Sequence, residues 1–390
     1  MQQFFALGVL LLTLLLPFGN LERVSLVNQT INFYLHDLLI AVLLLSQIKQ
    51  IWPSFIRHRY LIGFTLFSIV SLILSLDFLQ AKEVLIASLY LWRYLSYLIF
   101  FLILMQYKYD WLQFRLPIYL SFSIILSMLF GLVQYFAFPN LESLYSAGWD
   151  RHNYRLVGTW LDANFTGLLL SMFLLWIIYK LLKLPPNPYK LLVFKKRYYS
   201  ILALLAFITL LLTYSRSSFL AFLIALLVLF FKKNRYYFLA IALVFLILIP
   251  FLPQRFGEGT KLLRTSTIEA RLGNYQQGIE LFKQKPLFGY GFNTLRYIRN
   301  NQEELALPSH SAAGLDNSLL FLLVTVGFFG TSQFILFWHR QLKNLAKPIV
   351  ISLAVAIVVH SMFTNSVFYP FVMLYLYLFL AEIKMFKAKI

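Results

Sequence analysis

Four short polar clusters interrupt an otherwise apolar chain, and together they hold the residue types that a group transfer from a diphosphate needs. The first is Arg151-His-Asn-Tyr-Arg155-Leu-Val-Gly158-Thr159-Trp160-Leu-Asp162-Ala-Asn164, just before an apolar run. The second is Thr213-Tyr-Ser215-Arg216-Ser217-Ser218, a tip between two apolar runs. The third spans Arg271 to Pro286-Leu-Phe-Gly289-Tyr-Gly291. The fourth is His310-Ser-Ala-Ala-Gly-Leu-Asp316-Asn317-Ser318, followed by a run carrying Gly327 and Gly330. A guanidinium presents a planar fork that matches phosphate oxygens. It would stabilise the charge on a departing diphosphate, while an imidazole or carboxylate deprotonates an acceptor hydroxyl.

Each of these residues also has a plainer reading. Arg216 has almost no loop to lift it into water, and an ionisable group at that depth is costly and faces a cavity or a partner. It is either a diphosphate clamp or an interfacial arginine that snorkels. Arg151 and Arg155 read as plain loop charges. Asp162 and Asn164 read as helix caps, as does Asp316-Asn317. Arg271 reads as the start of an amphipathic helix against lipid headgroups. His310 lies close in sequence to Asp316, which makes an acid–base pair of the two. Gly289 and Gly291 mark a tight turn; alone they make no phosphate loop. The sequence has no Walker motif, no H-E-x-x-H, no dinucleotide fingerprint and no metal-ligand spacing, so neither a cofactor nor a metal is expected. The absence of cysteine excludes thiol chemistry and disulfides.

The elements that must position these clusters are set by composition. Of 390 residues, 60% are hydrophobic and only 13% charged, and the mean hydropathy is +0.74. Soluble domains carry about 25% charged residues. The apolar runs are continuous Leu/Phe/Ile blocks without period-2 alternation, which predicts an all-α polytopic membrane protein rather than a barrel. Twelve helical spans are expected, at 2–18, 36–48, 61–79, 84–106, 116–137, 164–182, 198–213, 217–231, 236–252, 317–337, 348–363 and 369–385. Segments 36–48 and 217–231 are short for a full crossing, so tilted or broken helices are expected there. The N-terminal run lacks a basic flank and a small-residue cleavage site, and reads as a retained span.

Basic residues sort onto one set of short loops, which predicts both termini in the cytoplasm. The net charge of +19 then reflects that asymmetry and contact with anionic lipid, with no nucleic acid as partner. The chain reads as one membrane domain over 1–390, with outer loops at 138–163 and 253–316. Within the larger loop, Leu272, Tyr275, Ile279 and Phe282 recur at helical spacing and predict an amphipathic helix on the membrane face.

The four clusters, in this order and topology over roughly residues 120–340, resemble the O-antigen ligase and polymerase family of bacterial envelope glycosyltransferases. Arg155 through Asn164 matches that family's R-x-x-G-T-[FW]-x-[DN]-x-N stretch, and Thr213 to Ser217 its T-x-S-R-[GS] turn. Arg271 with Pro286 to Gly291 matches an arginine followed by P-L-F-G-x-G. His310, Asp316, Asn317, Gly327 and Gly330 match the closing His, [HD]-N and G-x-x-G pattern. The resemblance implies a metal-independent inverting transfer at the outer face of the bacterial inner membrane. The donor would be a glycan on polyprenyl diphosphate, and the acceptor another lipid-linked repeat unit or a lipid A core sugar. It implies Arg216 and Arg271 as diphosphate clamps, Arg155 as support, Asn164 and Asn317 near the substrate, and His310 as base. A chain-length regulator protein is a further partner it implies.

One departure bears on the acceptor. Ligases carry His-Asn where this chain has Asp316-Asn317, which looks more like polymerases and makes Asp316 a rival base. Two other classes are weighed. A lipid-linked sugar transporter would show inverted repeats and midplane polar groups, and neither is visible. A structural envelope partner gives no reason for an outer-face arginine at membrane depth.

Overall fold

The computed structural model describes residues 2–26, 31–107, 110–145, 148–185, 190–231, 235–253, 258–262, 265–300, 314–345 and 347–385. His310 lies outside the described residues. All twelve apolar segments are helical. In chain order the helices are α1 (Gln2–Leu15), α2 (Leu35–Ser46), α3 (Ile48–Ile56), α4 (Arg59–Leu74), α5 (Ala81–Gln106), α6 (Asp110–Ala137), the one-turn α7 (Glu142–Tyr145) and α8 (Ala163–Lys183). They continue with α9 (Lys190–Leu212), α10 (Arg216–Phe230), α11 (Arg235–Leu248), α12 (Ser266–Gln284), α13 (Leu295–Asn300), α14 (Ser318–Leu345), α15 (Pro348–His360) and α16 (Pro370–Met385). Large apolar side chains cover the outside, with Phe136 73% and Ile118 65% exposed, as lipid contact requires.

The number of full crossings corrects the expected twelve. Six helices among the described residues are long and apolar enough to span, and a seventh results if α2 and α3, bent by 91°, count as one. The reason is length: α10 and α15 have 15 and 13 residues. At about 1.5 Å rise each they fall short of a hydrocarbon core about 30 Å thick. Both pack against each other and against α8, each keeping an exposed apolar face that includes Leu220 and Val358. The protein interior is closed by α8 and α16, where Trp176 Nε1 donates to Glu382 and Lys180 pairs with the same buried carboxylate.

Two departures from regular helix shape the outer side. A hairpin of β1 (Arg23–Leu26) and β2 (Ile31–Tyr34) pairs antiparallel, with Arg23 opposite Tyr34. No strand was expected. It is anchored by a buried His36–Glu22 contact of 2.5 Å and by Arg93 paired to Asp37 at 3.0 Å. Asn20 Nδ2, donating to Trp160 O at 2.6 Å, and Thr159 Oγ1, donating to Pro17 O at 2.6 Å, tie the N-terminal segment to the turn before α8.

The second departure is a break in α14 at Gly327, whose φ is +66°. A Cβ there would lie 2.2 Å from Leu287 O, so only glycine fits. The segment 286–291 fills the break: Tyr290 N and Gly291 N each donate at 2.9 Å, to Val324 O and Thr325 O, and Phe328 N donates to Pro286 O at 2.8 Å. Ser71 Oγ donates to Thr325 O at 2.6 Å from α4. Backbone groups freed by the break are thus satisfied inside the protein, as the membrane demands. The glycine motifs of the third and fourth clusters lock α12 and α14 together rather than contacting a phosphate.

Candidate functional site

The first two clusters interlock. Asp162 caps α8, accepting from Asn164 N at 2.6 Å and Phe165 N at 3.0 Å. Ser215 Oγ donates to Asn164 Oδ1 at 3.1 Å, and Ser218 Oγ to Asn164 O at 3.1 Å. The helices approach so closely that a Cβ on Gly167 would sit 2.5 Å from Ser218 Oγ. Arg155 is only 4% exposed; its Nε donates to Thr213 O at 2.9 Å, and its Nη1 to His152 Nδ1 at 3.2 Å. Because a guanidinium only donates, Nδ1 of His152 accepts and the ring proton sits on Nε2, 3.4 Å from Asp162 Oδ2. Burial pulls the Asp162 carboxyl up, but His152 and the two capping N–H groups outweigh it and hold it at about 2.

The third and fourth clusters meet through one stripe of α12, where Arg271, Asn274, Gly278 and Leu281 recur at helical spacing. Gly278 and Leu281 pack inward, toward Leu315, Leu320 and their neighbours. Of the expected apolar set, Leu272 and Ile279 are exposed, while Phe282 packs against the cluster around Leu281. Asn274 Oδ1 accepts from Asp316 N at 3.0 Å. Arg299, buried, donates to Gly314 O at 2.9 Å and to Gln277 at 2.5 Å, fixing the chain just before Asp316. Asn317 Oδ1 caps α14, accepting from Leu319 N and Leu320 N at 2.9 and 3.0 Å.

Arg216 stands half-buried at the head of α10, donates to Leu262 O at 3.1 Å and feels the like charge of Arg271. Arg271 lies 5.7 Å from the Phe363 ring centre. Among the described residues it makes no hydrogen bond or ion pair. Asp316 is shifted upward by burial, against the pull of Arg271; Asp150 and Asp162 add to the rise and Arg299 opposes it.

Several of these groups line one partly open cavity of about 690 Å³. Arg155, Asn164, Arg271 and Asp316 line it; Arg216 and Asn317 stand behind the wall. The sequence reading passed over the opposite wall, which carries Arg23, Arg93 and Arg296 with Tyr34, Tyr90 and Trp149. One signal for it was available: Arg93 lies in an apolar span, where an ionisable residue calls for a partner. His152 and Asp150 were also passed over. With Asp162 they place one ligand atom each within 4.8 Å of one another, a geometry a cation would suit. In that group Asp162 is already engaged by the α8 cap, and Arg155 holds the other nitrogen of His152. Non-glycine residues with left-handed backbone, Tyr154, Leu161, Tyr214 and Asn293, all fall beside the site motifs, where strain commonly concentrates.

Residues 201–335 match the family profile described as O-antigen ligase. That segment runs from α9 into α14 and includes Arg216, Arg271 and Asp316, whereas Arg155 and Asn164 precede it. A search of curated proteins returns no match. The match supports a role in joining or polymerising O-antigen-type glycans, with a lipid-linked glycan and an acceptor as substrates. Over residues 201–335 this helical membrane protein is similar to the O-antigen ligase family.

Proposed function

We propose that the chain is a glycosyltransferase at the outer face of the bacterial inner membrane, which polymerises polyprenyl-diphosphate-linked repeat units into surface polysaccharide. The observation that carries this reading is the Arg271 guanidinium, unpaired among the described residues, lining the same cavity as the Asp316 carboxylate, with Arg216 nearby. The diphosphate of the donor sits against Arg271, with the charge of Arg216 behind it, and the two neutralise charge as it departs. Asp316 takes the proton of the acceptor hydroxyl, whose oxygen bonds to the anomeric carbon as the sugar–phosphate bond breaks. Attack from the side opposite the leaving group inverts the configuration. No metal enters this sequence, so a chelator leaves the rate unchanged. His310 is the rival base. Arg155 and Asn164 keep the heads of α8 and α10 in place.

The twelve helical segments cross or enter the membrane with both termini in the cytoplasm, as the distribution of basic residues supports. A chain-length regulator is a partner of this reaction class. The second reading is ligation to a lipid A core sugar, favoured by the description of the matched family. Polymerase is preferred because Asp316-Asn317 replaces His-Asn. The test is purified protein in lipid with a lipid-diphosphate-linked oligosaccharide as sole substrate. A ladder of longer glycans with released polyprenyl diphosphate supports polymerase. Transfer only after addition of a lipid A core acceptor supports ligase. Silence in both counts against a transferase and toward transport.

A further inference from the structure

The cavity is larger than a diphosphate needs, since pockets of about 300–1,000 Å³ enclose whole drug-sized ligands. Its other end is built from β1, β2, α5, α13 and the loop before α8. Arg23 donates to Ser25 Oγ at 3.1 Å and Asn32 Oδ1 at 2.9 Å, and its guanidinium lies 5.2 Å from the Trp149 ring centre. Arg93 stacks by Tyr34 and Tyr90, at 5.6 and 5.2 Å, while pairing with Asp37. Arg296 makes no hydrogen bond or ion pair among the described residues, and it feels the like charge of Arg23. The carboxylates nearby are spoken for. Asp37 accepts from Tyr34 N at 2.9 Å and from Tyr97, and Glu83 caps α5 by accepting from Gln80 N at 2.9 Å. Asp150, Asp162 and Asp316 act on one another and, through Asp316, on Arg271 at the first end. The two ends meet at Tyr369, which feels both Asp162 and Arg23.

This end therefore presents aromatic faces alternating with guanidinium groups, one of them without a counter-charge among the described residues. Aromatic faces suit the polarised C–H face of a pyranose ring, and the guanidinium fork suits a carboxylate bidentately. We infer that the end bounded by Arg23, Arg93, Arg296, Tyr34, Tyr90 and Trp149 is a sugar subsite for the acceptor glycan, selective for a residue bearing a carboxylate, such as a hexuronate. The inference rests on the transferase reading, and it places donor diphosphate and acceptor sugar at opposite ends of one cavity. It assigns Arg23 and Arg296 to specificity rather than to the reaction.

The test measures binding, not turnover. Protein in lipid nanodiscs is titrated with a panel of hexuronate-containing oligosaccharides, with the same oligosaccharides after carboxyl reduction, and with polyprenyl diphosphate. The wild type is expected to prefer at least one acidic probe over its reduced form by about tenfold or more, the worth of one charge-assisted hydrogen bond. Arg296→Gln and Arg23→Gln are expected to erase that preference and leave polyprenyl diphosphate binding unchanged. Arg271→Gln is expected to do the reverse. Arg296→Lys, which keeps the charge but not the fork, should fall between and guards against misfolding of Arg23→Gln. Two results overturn the inference: no preference for any acidic probe in the wild type, or weakened polyprenyl diphosphate binding in Arg296→Gln with the sugar preference intact. Intact preference in a protein that transfers nothing upholds the subsite and counts against the transferase reading alone.

Discussion

Arg155 and Arg271 line the same cavity, yet they are held in opposite ways. Arg155 is almost fully buried, with Nε on a backbone carbonyl and Nη1 on His152, whose other nitrogen faces Asp162. Arg271 is half-buried, and near it lie the Phe363 ring, the Asp316 carboxylate and the like charge of Arg216. A guanidinium held by fixed protein partners acts as a staple, because removing it strands buried acceptors. One left with open donors beside another positive charge is costly unless an anion arrives. Sequence motifs mark both residues equally; burial and partners separate them.

Several substitutions break or sharpen this contrast. The largest effect is expected from Asp316→Asn, which removes the base and should lower transfer by about 10²–10⁴-fold without changing the thermal midpoint. Because burial lifts the Asp316 carboxyl, the wild-type rate should begin to fall on the acid side above the usual carboxylate value near 3.9. The deprotonated form is the active one, so the rate is full at higher pH and lost as pH drops through the raised pKa. An acid limb no higher than that of an exposed carboxylate would point to His310 or another group as base.

Next comes Arg271→Gln, expected to cost about 100-fold in transfer, again at unchanged stability. Arg155→Lys should invert the pattern: the folded state loses about 2 kcal/mol, read as a lower thermal midpoint in detergent, while turnover per folded molecule is nearly kept. A stable but inactive Arg155→Lys protein would erase the distinction. The smallest effect belongs to His152→Ala, about 1 kcal/mol of stability, since it removes one fixed partner of Arg155 and leaves the bond to Thr213 O.

How much of this was legible beforehand follows from which physics each feature uses. The twelve helical segments were readable because an apolar run in lipid must satisfy its own backbone. Their crossing number was not, since a 15-residue helix such as α10 is just as apolar when it packs against neighbouring helices. The site arginines and Asp316 stood out because charges are scarce in such a chain. The plain capping reading of Asp162 and Asn317 was also correct, as their short side chains reach the following backbone N–H groups. The hairpin, the break at Gly327 and the seat of segment 286–291 depend on pairings between distant stretches, which no local pattern reveals. The second wall was missed for the same reason: Arg23, Arg93 and Arg296 are far apart in sequence and adjacent only in the fold.

The most direct test of the central claim compares wild type with Arg271→Lys in the same lipid, at equal amounts of folded protein, by polyprenyl diphosphate released from a lipid-diphosphate-linked oligosaccharide. Lysine keeps the charge and loses the fork. The account predicts release in the wild type and a loss of about tenfold or more in the variant. Equal release from both would contradict it, because the diphosphate would then be seated somewhere other than against Arg271.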